Sequence, residues 1–476
     1  RGLLDSAWYK FGVSLAKQYR DIFGPDNFFL EIQLIDKDML PAQIVISECL
    51  RTIAKDEGFR KVATPDAHYS FSEDAIDQRV LLCSNLNTTI GAVNAKLSND
   101  EDVMLGGFFK SDKYHIPSQE EMAALHTQDE LDNSLLIADM CESYDILGKP
   151  ILPPFPCPDN LSQDEYLRHL CREGWTAKIA NRVKKDRYKE YADRVKKELD
   201  VLQGAGLSGY FLILNDICRF VRSNGWLVGP GRGSAAGSLV SYLAGITNID
   251  PIPYDLLFER FYNAGRNTAD RVSYPDIDLD VPVQRRETII EYVKNKYGED
   301  KVGQIVSFQT IQARGALQAV FRAYGGITRD EVINITKHIP EPSKIAGDLQ
   351  ETREAGEEAS IIGWALEHRP EKFKEWCWLD DDGNLQGPLS KRFAQAIRLE
   401  GTKYSASKHA AGVVISPVPL GQVCPMIRDS KTHQMAGFEM NDLEAIGLIK
   451  LDVLGLAFLD KVQGVQDILA TGDIVE

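Results

Sequence analysis

The chain has 476 residues, with 54 Lys and Arg against 70 Asp and Glu, a formal net charge of −16. Its 43% hydrophobic and 26% charged residues are ordinary for a globular protein and exclude a disordered chain, a collagen and a membrane protein. Domains usually take roughly 100–200 residues, so two to four are expected, and the acidic balance alone neither requires nor forbids a nucleic-acid partner.

The start, RGLLDSAWYKFG, lacks the apolar core and cleavage site of a signal peptide, and it lacks an initiator Met, which suggests a piece of a longer chain. FFLEIQLID and KVATPDAHY read as buried strands, with the helix PAQIVISECLRTIAKDEG between them. That β-α-β pattern makes the class α/β. The proline cluster ILPPFPCPDN (151–160) reads as an extended linker. Residues 161–222 read as mostly helical. Tyr188, Tyr191, Val195, Leu199 and Leu202 form an apolar stripe, and Lys184, Lys185, Arg187, Lys196 and Lys197 lie on the other face. This basic run suits either a solvated helix face or a phosphate-facing surface.

Next comes VGPGRGSAAGSLVSYLAG, a glycine-rich turn (229–237) opening a helix. Such a turn packs closely, and the unpaired N–H groups of a helix start attract anions. Ser234 reads as both cap and phosphate donor, and Arg232 suits phosphate as well. The GKS/GKT ending of a P-loop is absent. Arg260 and Arg266 follow, each able to meet phosphate or simply a surface carboxylate.

In SYPDIDLD, the alternation of a strand at 276–280 puts Asp276, Asp278 and Asp280 on one face, with Ile277 and Leu279 on the other. Grouped carboxylates repel one another unless cations neutralise them, and hard cations such as Mg²⁺ prefer oxygen ligands. A bare Asp-x-Asp also suits a solvated acidic edge. Helices continue to 325, and 326–402 reads as a polar, helical, separate lobe. A strand pair follows at 412–416 and 447–456. There Asp452 sits between Leu451 and Val453, costly unless paired or metal-bound, and Lys450 shares its face. Eight Cys without a C-x-x-C pair read as reduced thiols of a cytoplasmic protein. A Gly-Ser turn, then Asp-x-Asp, then a later strand Asp is the order of a nucleotidyltransferase palm.

At these residues the chain resembles the C-family replicative DNA polymerases, the bacterial DNA polymerase III alpha subunits. The strings that carry the resemblance are GYFLIL, VGPGRGSAAGSLVSYLAGITNIDPIPYDLLFERF, SYPDIDLD, YGEDKVGQIVSFQT, SKHAAGVVI and GLIKLDVLGL, in family order. FFLEIQ and VATPDAHY extend it into the late part of the polymerase-and-histidinol-phosphatase (PHP) domain. The resemblance implies an α/β multidomain chain. Residues 1–150 would be the C-terminal part of the PHP domain and 151–160 the linker. A polymerase beta-like palm would take 161–325, with a helical thumb at 326–402 and the rest of the palm and start of the fingers at 403–476.

It also implies template-directed DNA synthesis at a primer 3′-OH with two Mg²⁺ ions. Asp276, Asp278 and Asp452 would be catalytic metal ligands, with Asp280 a neighbour. Gly233, Ser234, Arg260 and Lys450 would bind the triphosphate. Lys408 and His409 match a palm motif near the site, and for His409 a structural hydrogen bond fits as well. Asp66 and His68 match a D-x-H metal motif, here a vestige, because the early His-x-His motif is absent. Implied partners are primer-template DNA, deoxynucleoside triphosphates and, through regions absent here, a sliding clamp and other replisome subunits, with no membrane. The family is usually more than twice as long, and fingers are missing after Glu476. A template-independent nucleotidyltransferase and a catalytically silent DNA or replisome scaffold therefore stand as alternatives.

Overall fold

The computed structural model describes residues 7–38, 41–98, 109, 111–148, 152–263, 265, 274–356, 358–428 and 434–471. Arg266 and Ile151 lie outside them. In chain order the strands are β1 (Phe29–Ile32), β2 (Arg60–Ala63), β3 (Asp278–Pro282), β4 (Val302–Thr310), β5 (Trp378–Leu379), β6 (Leu385–Gln386), β7 (Lys403–Ile415), β8 (Met426–Arg428), β9 (Gln434–Ala436) and β10 (Ile449–Leu456). The architecture is mixed α/β, and the chain divides into two compact units.

One unit joins residues 1–144 to 310–405. Its first part pairs β1 with β2 in parallel, and the helix Pro41–Glu57 connects them. Right behind follow the helices Ala75–Asn85 and Ile90–Ser98, whose Val80, Cys83, Ile90 and Val93 are buried in one core with Leu317, Phe321, Phe373, Phe393 and Leu399. So the segment 326–402 does not keep a core to itself.

An ion pair crosses this core. The carboxylate of Asp77 accepts from Arg398 Nε at 2.7 Å and Nη2 at 3.0 Å, and from Gln395 Nε2 at 2.6 Å. Removing Asp77 strands the buried Gln395 amide, while the exposed Arg398 turns to water. Asp77→Ala is expected to lower the unfolding free energy of this unit by about 2 kcal/mol in urea titration. An unchanged midpoint would show the pair to be surplus.

The other unit holds 145–309 and 406–476. Its sheet runs β3-β10-β7-β4-β9-β8, with β10 parallel to β3 and antiparallel to β7. The 161–222 stretch forms helices Gln163–Lys178, Tyr188–Gly204 and Ser208–Ser223. The apolar stripe buries Tyr191, Leu199 and Leu202, while Tyr188 and Val195 pack partly buried. Ser208–Ser223 is buried on every side from Ser208 to Asn215, and its second half turns Arg219, Arg222 and Ser223 to solvent.

Two local expectations change. The reading of helices through 325 misses β4, a nine-residue strand. And β3 begins at Asp278, so Asp276 precedes the strand instead of belonging to it. Among the described residues no single helix is long and apolar enough to cross a membrane. All eight cysteines are free thiols.

Candidate active site

β10 positions the site because it has a partner on each side. Its register sets Asp452 opposite Asp278 on β3 and opposite Gly412 on β7. Paired residues of neighbouring strands leave the sheet on one face. Asp276, just ahead of β3, closes the group: ligand oxygens of Asp276, Asp278 and Asp452 all lie within 4.8 Å of one another. The apolar partners Ile277 and Leu279 are buried on the opposite side. Exposure is graded, with Asp452 buried, Asp278 half-buried and Asp276 open to solvent.

Two cations attend four carboxylates. Lys450 Nζ stands 2.7 Å from Asp452 Oδ2 and 3.6 Å from Asp276 Oδ1. Arg232 Nη2 stands 3.4 Å from Asp278 Oδ2 and 3.5 Å from Asp280 Oδ1. Burial pushes the Asp278 carboxyl up; Arg232 opposes this, and Asp276, Asp452 and Asp280 add to it. Burial raises Asp280 as well, again against Arg232. For Lys450 burial disfavours the charge, yet the bond to Asp452 and the pull of Asp276 hold its pKa above the usual lysine value.

An excess of two negative charges remains. Asp452 Oδ1 is buried without a hydrogen-bond partner among the described residues. Asp280 Oδ1 is also unbonded, since Arg232 approaches as a charge and is too far for a good hydrogen bond. Buried oxygen with no donor, in an all-carboxylate donor set, fits a hard divalent cation.

The glycine turn lies directly on β3. Gly229 N–H donates to Asp280 O at 2.8 Å, and a Cβ on Gly229 would fall 2.6 Å from Asp280 Cβ, so only glycine fits. Gly233 takes a φ of +63° and, with Ser234, is exposed. Ser234 is not the cap that its sequence position suggests. A short 3₁₀ turn, Gly233–Gly237, intervenes, and Ser238 caps the helix Leu239–Leu243 by accepting from Ser241 N–H at 3.1 Å. That helix start is already occupied: the buried carboxylate of Glu198 accepts from Leu239 and Val240 N–H. Sequence reading missed Glu198.

Arg260 is exposed on the helix Phe258–Phe261, which packs on the turn where Gly237 meets Leu257 and Phe261. Tyr210 is a second residue not foreseen. It is buried, takes a backbone hydrogen bond from Ile277, and its pKa is raised first by burial, then by the charge of Asp276. His409 Nδ1 accepts from Ala411 and Gly412 N–H at 3.2 and 2.7 Å, a structural bond that steadies the strand opposite Asp452. Lys408 Nζ lies 3.6 Å from Glu287.

Parts of the basic helix face are neutralised, with Arg187 on Glu190, Lys189 on Asp193 and Lys197 on Glu259. In the other unit, His68 Nε2 stands 3.1 Å from Asp66 Oδ1, and its ring packs on Phe109 and Tyr114. Among the described residues no third ligand-type side chain joins these two.

A family model described as the bacterial DNA polymerase III alpha NTPase domain matches residues 165–455. The DNA polymerase III subunit alpha of Aquifex aeolicus is 35% identical over 472 residues, covering 95% of this chain and 38% of the relative. Those of Treponema pallidum and Bacillus subtilis are 34% and 32% identical, covering 95% and 98% of this chain and 35% and 38% of their own lengths. The chain thus spans little more than a third of the curated relatives it matches.

Proposed function

Since this chain belongs to the bacterial DNA polymerase III alpha family, we propose that it carries the catalytic aspartates of a DNA polymerase that adds deoxynucleotides to a primer 3′-OH under template direction. The observation that supports this best is Asp452 set opposite Asp278 with Asp276 beside them. In this reading residues 1–150 are late PHP domain and 151–160 a linker. The segments 161–325 and 403–476 build a polymerase beta-like palm with the start of the fingers, and 326–402 is a thumb.

Asp276, Asp278 and Asp452 would hold Mg²⁺, two ions in all. Bound there, the metal supplies a lowered pKa for the attacking hydroxyl and offsets charge on the leaving pyrophosphate. Buried Asp452 gives the cluster a fixed anchor, and exposed Asp276 leaves it open on the side from which DNA and nucleotide arrive. Lys450 keeps its proton at neutral pH and sets a positive charge 2.7 Å from Asp452 Oδ2. Gly233, Ser234 and Arg260, all exposed near the cluster's turn, would meet the triphosphate, and Arg232 is free to exchange carboxylate for phosphate. Primer-template DNA and deoxynucleoside triphosphates are the proposed substrates, in the bacterial cytoplasm. A sliding clamp and other replisome subunits are proposed partners of the longer relatives' remaining length.

Primer extension tests this on the full-length subunit and on this chain side by side. Mg²⁺-dependent extension that stops without template, and is lost in EDTA, is the expected result. Addition without template would favour the terminal-transferase alternative. DNA binding without extension in the full-length subunit would favour a scaffold.

A further inference from the structure

Two stretches flank the place proposed for the triphosphate: the turn with Gly233 and Ser234, and the helix Phe258–Phe261 with Arg260. Both are tied to one pair of side chains on the helix Tyr188–Gly204. Arg194 and Glu198, four residues apart, are neighbours on its face. Glu198 is fully buried. Its carboxylate accepts from Ser238 Oγ at 3.0 Å, from Leu239 N–H at 3.1 Å and from Val240 N–H at 2.9 Å. Arg194 Nε donates to Glu198 Oε1 at 2.6 Å. Its Nη2 donates to Gly237 O at 2.8 Å and to Leu256 O at 3.0 Å.

A guanidinium is planar, with donors in a fixed fork. One such group here sets the separation between the end of the glycine turn and the entry to the Arg260 helix. The two backbones touch at that point, since a Cβ on Gly237 would come 3.0 Å from Leu257 O.

We propose that Arg194 and Glu198 are positioning residues that fix the spacing of the Gly233–Ser234 turn and Arg260, and with it the fit of a deoxynucleoside triphosphate. This rests on the polymerase reading above and deepens it. A buried ion pair is a poor device for stability, because apolar residues of similar volume often serve as well. What this pair supplies, and an apolar pair cannot, is directional bonding to four backbone groups in two separate segments. Its effect therefore falls on nucleotide capture and not on the chemical step.

The test uses Arg194→Lys, Arg194→Gln and Glu198→Gln in the full-length subunit, with primer extension, primer-template binding and thermal midpoint measured together. A change that raises KM and leaves kcat alone marks the loss of binding made equally in the ground and transition states. A KM for the nucleotide raised about tenfold or more is expected in Arg194→Gln and Glu198→Gln. The kcat and the primer-template Kd should stay within about threefold. Arg194→Lys, which keeps the charge but loses the fork, should fall between wild type and Arg194→Gln. A lowered midpoint with unchanged KM would make the pair merely structural and overturn the proposal, as would a loss confined to kcat. Should Arg194→Gln fail to fold, the other two variants carry the same readout. Should the wild type fail to extend primers, it is the polymerase reading that fails. Equilibrium binding of dATP with Mg²⁺ then decides the present proposal: weaker binding in the variants supports it and equal binding overturns it.

Discussion

Asp278→Asn in the full-length subunit is expected to cut primer extension by about a thousandfold or more, roughly 4 kcal/mol of barrier, without lowering the thermal midpoint of the metal-free protein. The two halves of this result share one cause. Asp278 shares its face with Asp452, and Asp276 and Asp280 stand nearby. Burial and these like charges raise its pKa in the folded state, so the folded chain binds that proton more tightly than the unfolded one. Stability therefore falls as pH rises from the ordinary carboxylate range, about 3.9, through the raised folded value.

At neutral pH the ionised Asp278 is a penalty, and the amide removes it. The variant should equal or exceed wild type in EDTA at pH 7, and the difference should vanish toward acid. Mg²⁺ offsets the same repulsion, so it should raise the wild-type midpoint more than the variant's. Calorimetry with and without Mg²⁺ across pH reads all three. Extension retained within about tenfold, or a metal-free midpoint several degrees below wild type, would remove Asp278 from the proposed metal site.

Gly174→Ala should be among the most damaging single-methyl changes in the chain. In an ordinary helix, alanine replaces glycine with a gain of about 0.5–1 kcal/mol. Gly174 lies in the helix Gln163–Lys178 where it crosses Leu239–Leu243, and a Cβ there would stand 2.1 Å from Leu243 O and 2.7 Å from its carbonyl carbon. Those are backbone atoms and cannot swing aside. The two helices must separate, and overpacking of this kind costs about 3 kcal/mol or more. Gly204, at the end of Tyr188–Gly204, has nothing within 4 Å of its Cβ position, so Gly204→Ala is the matched control, expected neutral or slightly stabilising. Urea unfolding of both variants checks the contrast. Equal midpoints would mean that the crossing yields easily.

The helix Leu239–Leu243 follows directly on the Gly233–Gly237 turn, so Gly174→Ala should also weaken nucleotide binding.

The grouping of Asp276, Asp278 and Asp280 was legible from local alternation, while the choice of Asp276, Asp278 and Asp452 came from the family resemblance, and Asp276 in fact precedes β3. Ile277 and Leu279 between acidic residues reveal a two-sided strand before any partner is known. The pairing of Asp278 with Asp452 is another matter, since it depends on β10 choosing β3, and no spacing in the sequence encodes that choice. β4 was hidden for a related reason. Val302 to Val306 are buried in an unbroken run, so its interior shows no alternation to distinguish it from a helix. The cap read at Ser234 falls at Ser238 instead, because a 3₁₀ turn that the sequence does not announce comes before the α-helix. Glu198 did leave a signal. It stands between Val195 and Leu199 on the helix's apolar stripe, where a carboxylate is out of place unless something buried needs it. Tyr210 left none, because inside GYFLIL it is indistinguishable from core.

β10 follows β3 only after strands β4 to β9 have been made, and this order has a consequence for synthesis. Two of the three acidic groups leave the ribosome with β3, and the third follows on the order of ten seconds or more later at bacterial elongation rates. Until that strand slots in, the nascent protein would offer only two of the three carboxylates proposed to hold the ions. A chain broken off anywhere before residue 452 would thus lack one of the three proposed metal ligands, however much of it had folded.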